Sequence, residues 1–296
     1  MASIAGTFPH LEMVPLAKTD QSGKVQYVCP CLFDLRSRIL TSSSLLSPGF
    51  ITTNTQPQEM IDALIESTVR RKGKIIELQI PPGYWYFDSL LRMGFTLLRK
   101  ISFFDLELKG ARSFDEFSQT HISKDKIKNI KTSYLKGLCV QAMDLSEESI
   151  QRFLPPYLDM IERHHSTAFP IQFFLRLGRE FNDCGKVWIA SVGGIDAGSA
   201  ITFESEGRLW AWFLQGNRKF KEYKVDARLE AELIRYSIER NIPVMDLGTS
   251  PLEGPLGDWK LRFGAKPVFH EVYRLVISGR ARFYHFLGMD FGERSR

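Results

Sequence analysis

The stretch "DLGTSPLEGPLGDWKLRFGAKP" (Asp246–Pro267) sets four glycines and three prolines around Asp258, Trp259 and Lys260. Its reading decides the fold. It begins as the end of a strand, continues as a long loop and turns into a short helix with Arg262-Phe263-Gly264 near its end. Before it stands the strongest helical pattern of the chain, "VDARLEAELIRYSIERN" (225–241), followed by the strand "IPVMDLG". After it comes the long strand "KPVFHEVYRLVI".

An earlier part of the chain follows the same plan. The run "IDALIESTVRRKGKIIELQIPPGYWYFDSLLRMGFTLLRKISFFDLEL" goes helix, strand, aromatic loop, short helix, glycine, long strand. Leu91-Arg92-Met93-Gly94 falls on Leu261-Arg262-Phe263-Gly264, and Ile76-Glu77-Leu78 on Met245-Asp246-Leu247. Two copies of an α–β–α–β unit predict a duplicated domain with a seam near residue 145, giving domains 1–145 and 146–296. What both copies share, such as the arginine and glycine, belongs to the fold. What one copy has alone is a candidate for chemistry. Lys260 lies opposite Leu90, and the second loop has Gly248, Gly254 and Gly257 where the first has Gly83 and aromatics.

The rest of the chain fits a mixed α/β protein. Strands are expected over 24–33 and "LCVQAMD", and a serine-rich loop at "LTSSSLLSPG". A polar, basic helical region covers 113–136. Ser146 opens the helix "EESIQRFLPPYLDMIERHH", which Pro155 and Pro156 should kink or divide. The helix "PIQFFLRLGREFN" leads into a meander of "KVWIASV", "AGSAITF" and "LWAWFLQG". A terminal helix is expected at "GRARFYHFLGMDF".

At 296 residues and 34.0 kDa, with 44% hydrophobic and 25% charged residues, the chain is in the globular range. Its net charge of +5 suits anionic partners without specifying one. Cys29-Pro30-Cys31 is too tight for a zinc knuckle, so buried reduced thiols are expected, and no metal. The N-terminal stretch lacks a basic start with an apolar core, and no run reaches the length of a membrane span, which points to the cytoplasm. Nucleophile-elbow and P-loop patterns are absent.

The residues "GGIDAGSAITF", "WAWFLQG", "LEAELIRYSIERNIPVMDLGTS" and "DWKLRFGAKP" resemble the second domain of FemAB-like and BioF2-like acyltransferases. Those families end that domain with a D-x-G strand end and a K-x-x-F-G motif, here Asp246-Leu247-Gly248 and Lys260 to Gly264. The resemblance covers about residues 170–276. It implies an α/β (α+β) fold of two tandem GNAT-like domains with mixed central sheets. It also implies N-acyl transfer, from an acyl-CoA thioester or an aminoacyl-tRNA, to a small-molecule or peptide amine. No tightly bound cofactor is implied. The pyrophosphate loop of many GNAT enzymes is missing, with "QGNRKFKEYKVDA" in its place, and so is the helical arm that bridge-forming enzymes use for tRNA. The rival reading is a non-catalytic binding module on the same fold.

By the same resemblance "LWAWFLQG" and "PVMDLG" splay apart, placing Gln215, Gly216, Asp246 and Gly248 at a gap where backbone N–H groups face a developing oxyanion. Lys260 is the first candidate for a catalytic side chain, as a cation for that oxyanion or for a donor phosphate, against a solvated lysine on an exposed helix. Asp246 either orients the amine and takes its proton through water or caps the following turn. Asn217, Arg218 and Lys219, with Lys221 and Lys224, form either an anion site or a solvated basic loop. Trp259 is a packing residue or a substrate platform. The lysines from 124 to 136 read as a solvated helix face. His164 and His165 point about 100° apart and cannot share one ligand without a bend.

Overall fold

The computed structural model describes residues 10–19, 25–42, 51–52, 57–82 and 87–277. The expected terminal helix, most of the serine-rich loop and part of the aromatic loop lie outside them. The strands are β1 (Leu11–Thr19), β2 (Val25–Asp34), β3 (Ile39–Thr41), β4 (Ile51–Thr52), β5 (Ile75–Ile80), β6 (Thr96–Glu107), β7 (Cys139–Asp144), β8 (Gly185–Val192), β9 (Ile195–Ser205), β10 (Arg208–Gly216), β11 (Val244–Thr249) and β12 (Lys266–Val276). The helices are α1 (Pro57–Arg70), α2 (Phe87–Arg92), α3 (Phe114–His121), α4 (Lys124–Leu135), α5 (Glu147–Arg163), α6 (Ile171–Phe181), α7 (Val225–Glu239) and α8 (Pro255–Arg262), with a 3₁₀ turn at Arg218–Tyr223.

Contacts divide the chain into two compact units, one of residues 1–101 with 269–296 and one of residues 102–268. These boundaries mark compactness and fall elsewhere than 145, the expected seam of the duplication. The chain passes from the first unit to the second within β6 and returns within β12. In the first unit β1, β2 and β3 pair antiparallel in that order, β3 pairs parallel with β5, and β5 antiparallel with β12. Its core includes Phe33, Leu40, Ile61, Leu64, Leu78 and Leu90. In the second unit the order is β6-β11-β10-β9-β8-β7, antiparallel throughout except for the parallel pair of β10 and β11. Its core lies around α7, whose Leu229, Leu233 and Ile234 are buried among Phe104, Leu106, Met245 and Phe263.

The repeat is visible in hydrogen bonds. α1 ends with Lys72 N–H donating to Val69 O and Gly73 N–H to Thr68 O; α7 ends with Asn241 to Ile238 O and Ile242 to Ser237 O. Inside them Thr68 donates to Leu64 O, and Ser237 to Leu233 O. α2 stops with Gly94 N–H on Leu91 O and Phe95 N–H on Leu90 O, and α8 with Gly264 on Leu261 O and Ala265 on Lys260 O. Gly94 and Gly264 both have positive φ, 85° and 92°. The shared L-R-x-G is thus a helix C-terminal stop, which satisfies the last carbonyls with a left-handed glycine.

Three local expectations change. Pro155 and Pro156 do not divide their helix: α5 runs unbroken, held by a buried face of Ile150, Phe153, Pro156 and Tyr157 and opened by a Ser146–Ser149 capping box. The region 113–136 is two helices, and its Lys126 is buried rather than solvated. Of the cysteines, Cys31 is buried as expected, but Cys139 is exposed and Cys184 half-buried.

Gly198, in β9, is required by space. A Cβ there would overlap Val225 Cγ1 and come within 2.8 Å of the Gln215 carbonyl and 3.1 Å of Gly216 Cα. Gly198→Ala should therefore destabilise the protein by about 1–3 kcal/mol, the usual cost of overpacking. Urea denaturation measures this, and an unchanged midpoint would contradict the packing described for β9, β10 and α7.

Candidate active site

β10 and β11 start side by side and then part. They pair over Arg208–Val244, Leu209–Met245 and Trp210–Asp246 only, so β10 from Ala211 to Gly216 runs on without β11. Both strands supply the cause. The register of β10 on β9 shifts between Trp212 and Gln215, where Phe213 has φ 53°, a β-bulge with a left-handed aromatic residue. The register of β11 on β6 shifts between Asp246 and Thr249, where Gly248 has φ 70°, and the end of β11 leans on β6 through Ser250 N–H to Ser102 O.

A left-handed phenylalanine costs roughly 1–3 kcal/mol and persists only where its surroundings fix it. The Phe213 ring centroid lies 4.2 Å from that of Trp212, 5.2 Å from that of Tyr157, 5.8 Å from Phe169 and 5.9 Å from Phe174. Apart from Trp212, these rings come from α5, α6 and the segment joining them. Packing of that nest fixes the bulge and so the divergence.

Lys260 is not the solvated lysine of an exposed helix. It is 5% exposed, and its ammonium donates to Gly248 O and Thr249 O at 3.1 Å each, with Nζ 5.1 Å from the Phe104 ring centroid. The reason lies in the repeat: the corresponding Leu90 is a core residue, so Lys260 stands in an inward-facing position. Burial pulls its pKa down to about 8, opposed by the charges of Glu230 and Asp246. Asp246 is also buried. Its Oδ1 accepts the Gly248 N–H at 2.6 Å, so the aspartate caps the turn, and its Oδ2 lies 3.8 Å from Arg208 Nη1. Arg208 itself grips Asp105 in a two-point ion pair of 3.0 and 2.6 Å. Burial pushes the Asp246 carboxyl up to about 6 against the Gly248 hydrogen bond.

Two carboxylates on α7 escaped the sequence reading, Glu230 buried and Asp226 exposed. Glu230 is 5% exposed, its Oε1 has no hydrogen-bond partner among the described residues, and burial pushes it up to about 7. Asp226 accepts the Gly216 N–H in a short hydrogen bond, and desolvation of its carboxyl raises its pKa too, against Gly216, Arg163 and Lys126. The signal was present: acids four residues apart in a helix otherwise packed with Ala227, Leu229, Ala231 and Leu233.

The other expected residues serve mainly as structure. Gln215 is buried and turned toward β9, its Nε2 donating to Ser199 Oγ at 2.8 Å. The Gly216 N–H is held by Asp226, and its carbonyl accepts from Arg163 Nη2 at 3.0 Å. Asn217 caps the 3₁₀ turn by accepting from Lys219 N–H. Arg218 pairs with Asp159 and Glu162 of α5. Lys219 is exposed. Trp259 packs on Phe263 and under the Lys126 ammonium, 3.6 Å from its ring centroid. His164 and His165 sit exposed where α5 ends. A hollow of about 690 Å³ lined by Glu107, Lys109, Glu116, His121 and Val244 holds none of the expected residues and lies at the start of β11.

Comparison with known proteins agrees with this architecture. Residues 129–261 match the family described as an acetyltransferase (GNAT) domain. Over 130 residues the chain is 28% identical to the UDP-N-acetylmuramoylpentapeptide-lysine N(6)-alanyltransferase of Weissella viridescens, a match covering 43% of this chain and 37% of that protein. The chain thus spans little more than a third of that curated relative. The FemX crystal structure superimposes with a TM-score of 0.71 at 11% identity, covering 97% of this chain and 93% of its own. A tandem GNAT protein from the clavulanic acid biosynthesis pathway gives 0.57 at 9% identity, covering 93% and 87%. The fold is the one shared by FemX and the tandem GNAT protein, and the match to the acetyltransferase (GNAT) family lies within residues 129–261.

The carboxyl of Asp246 titrates higher folded than unfolded, so the folded state favours its protonated form. The stability this supplies is complete below about pH 4 and lost as pH rises through about 6. Asp246→Asn keeps an acceptor for Gly248 N–H without the charge. Relative to wild type it should gain up to about 3 kcal/mol between pH 4 and 7, at roughly 1.4 kcal/mol for each pH unit between the folded and unfolded midpoints. Chemical denaturation across that range measures the difference, and a flat difference would contradict the buried-carboxyl description.

Proposed function

We propose that this chain is an N-acyltransferase that moves an acyl or aminoacyl group onto an amine, from an acyl-CoA thioester or an aminoacyl-tRNA. The supporting observation is the three-residue pairing of β10 and β11, with a buried ammonium anchoring the far end of β11. Beyond Trp210 no strand among the described residues pairs with the edge of β10 toward β11, and a carbonyl laid along it would meet backbone N–H groups. Attack by a neutral amine forms a tetrahedral intermediate whose negative oxygen faces those donors. Lys260 supplies positive charge from behind Gly248 and Thr249. Collapse breaks the bond to the CoA sulfur or the tRNA ribose oxygen, and the amine's proton leaves with that group or through water near Asp246. The reaction balances with the donor as co-substrate alone.

The Weissella relative's name gives a lysine side chain of a peptide as its acceptor, which supports an amine on a peptide or small molecule here. No helix among the described residues is long and apolar enough to cross a membrane. We place the protein in the cytoplasm, where both donor classes occur, and assign the chemistry to the second copy of a duplication whose seam lies near residue 145.

The test begins with thermal stabilisation by a panel of acyl-CoA thioesters and charged tRNAs. Transfer is then measured with whichever donor binds. Lys260→Met, close in volume, should lower kcat/KM by about 100-fold or more, the scale of losing one oxyanion-stabilising group, measured well below the variant's own Tm so that folded protein is compared with folded protein. Unchanged transfer would remove Lys260 from the mechanism. Stabilisation by neither donor class would favour a binding module that has kept the fold.

A further inference from the structure

Helix α4 presents two unlike sides. One packs toward α7, with Lys126, Ile130 and Ser133 buried. Tyr134 fastens it there, donating its hydroxyl to Glu232 Oε1 at 2.8 Å and accepting from Arg235 Nη2 at 2.9 Å. The Arg228 guanidinium of α7 covers the Tyr134 ring, 3.3 Å from its centroid. The other side of α4 carries Lys124, Lys128, Lys131 and Leu135, all exposed. Steps of four, three and four residues keep these side chains on one narrow stripe of the helix.

The stripe is charged and unmatched. The acid of α4, Asp125, is taken by Ser123, Arg262 and Lys126, and no ion pair among the described residues includes Lys124, Lys128 or Lys131. Elsewhere in the same unit Arg152, Arg208, Arg218 and Arg240 each hold a carboxylate. Lys136, exposed one residue past the helix, adds a fourth charge beside the stripe, its Nζ 5.2 Å from the Tyr223 ring centroid. From Lys124 to Lys136 the row spans about 18 Å at the helical rise. A single phosphate would reach one or two of these charges, whereas an extended anionic surface would meet the whole row. Leu135, in line with the lysines, is 89% exposed.

We propose that this side of α4 is a docking surface for an anionic lipid bilayer, with the lysines on lipid phosphates and Leu135 entering the headgroup region. Positive charge alone would also suit a nucleic acid, and two observations favour lipid. Leu135 gains nothing from a phosphodiester backbone, but a bilayer interface takes its side chain out of water. Binding to unpaired bases uses aromatic faces as stacking platforms, and the ring of Tyr134 beside the stripe is already covered by Arg228. The contact is peripheral and electrostatic, of the kind that clustered lysines make with acidic leaflets. It goes beyond acyl transfer and does not rest on it.

The test is co-sedimentation of the full chain with vesicles of mixed phosphatidylglycerol and phosphatidylcholine, against vesicles of phosphatidylcholine alone. The protein should partition onto the acidic vesicles only, and less so as added salt shortens the reach of its charges. No partition onto acidic vesicles, or equal partition onto both kinds, overturns the proposal. Replacing Lys124, Lys128 and Lys131 together by Gln should lower the partition coefficient about 100-fold, from about five-fold for each charge. Leu135→Ser should lower it about ten-fold, the scale of one leucine leaving water. Removing three exposed charges elsewhere, by Lys72→Gln, Lys74→Gln and Arg179→Gln, controls for net charge. An equal loss in that control shows attraction by overall charge and overturns the face. All these positions are exposed, so the variants should keep the wild-type Tm. A last arm offers double-stranded RNA. Binding that the triple lysine variant loses and Leu135→Ser keeps, from a protein that leaves acidic vesicles alone, would assign the face to nucleic acid and overturn the lipid reading. None of these readouts needs a donor, so absence of acyl transfer would not change their outcome.

Discussion

The second unit is organised by a parallel ladder that is cut short. Pairing between β10 and β11 ends at Trp210 and Asp246 because each strand next turns through a left-handed residue, Phe213 on one side and Gly248 on the other. Glycine adopts that conformation readily; phenylalanine does not. The strain at Phe213 is offset by aromatic packing from α5 and α6, so the opening depends on a hydrophobic nest behind the sheet. The polar groups at the end of β10 still need partners, since unmet backbone groups in a buried strand are costly. Asp226 takes the Gly216 N–H and Arg163 its carbonyl. Two helix side chains thus do for Gly216 what β11 does for Trp210, and the strands stay apart without leaving that end unsatisfied.

The charges around the opening follow from its position in a duplicated scaffold. Where the first copy packs Ile61 and Leu90, the second buries Glu230 and Lys260. Such an exchange does not make a core more stable, because buried charges carry a desolvation cost that apolar side chains of similar size avoid. Burial brings Lys260 down to about 8 and Glu230 up to about 7, both close to neutral pH. Buried titratable groups in one copy, against aliphatic ones in the other, distinguish chemistry from architecture within a single chain.

Much of this was legible in the sequence, and the misses have definite causes. The L-R-x-G repeat was readable because a helix stop is local: one left-handed glycine and the carbonyls behind it decide the geometry. The splay was foreseen from resemblance, but the bulge was not, because nothing in "WAWFLQG" requires a left-handed phenylalanine; distant rings impose it. Lys260 was singled out because Leu90 lies opposite, yet the competing expectation put it at the surface, since a lysine on a short helix ordinarily is. Glu230 was passed over although the same comparison sets it on Ile61. In "VDARLEAELIRYSIERN" it reads as one more helical acid, and only the tertiary cover over α7 makes it unusual. Pro155 and Pro156 misled for the opposite reason: a local rule was overruled by the packing of one helix face.

The course of the segment after β10 bears on how the proposed donor would be held. Arg218, the strongest anion-binding candidate there, is held between Asp159 and Glu162, and Asp159 also holds Arg163. A phosphate approaching Arg218 would have to displace two carboxylates from it, so this guanidinium is matched already. Asn217 has turned its oxygen to the 3₁₀ turn, and Gln215 faces β9. The side chains that sequence assigned to the donor therefore shape the backbone instead, through caps and ion pairs that fix the course of residues 215–219. On the acyl-transfer reading proposed above, recognition at this end of the opening would fall to the backbone of β10 and to the charge behind β11. Such an arrangement would suit a carbonyl common to thioesters and aminoacyl esters better than any one phosphate pattern, because both donor classes share that oxygen.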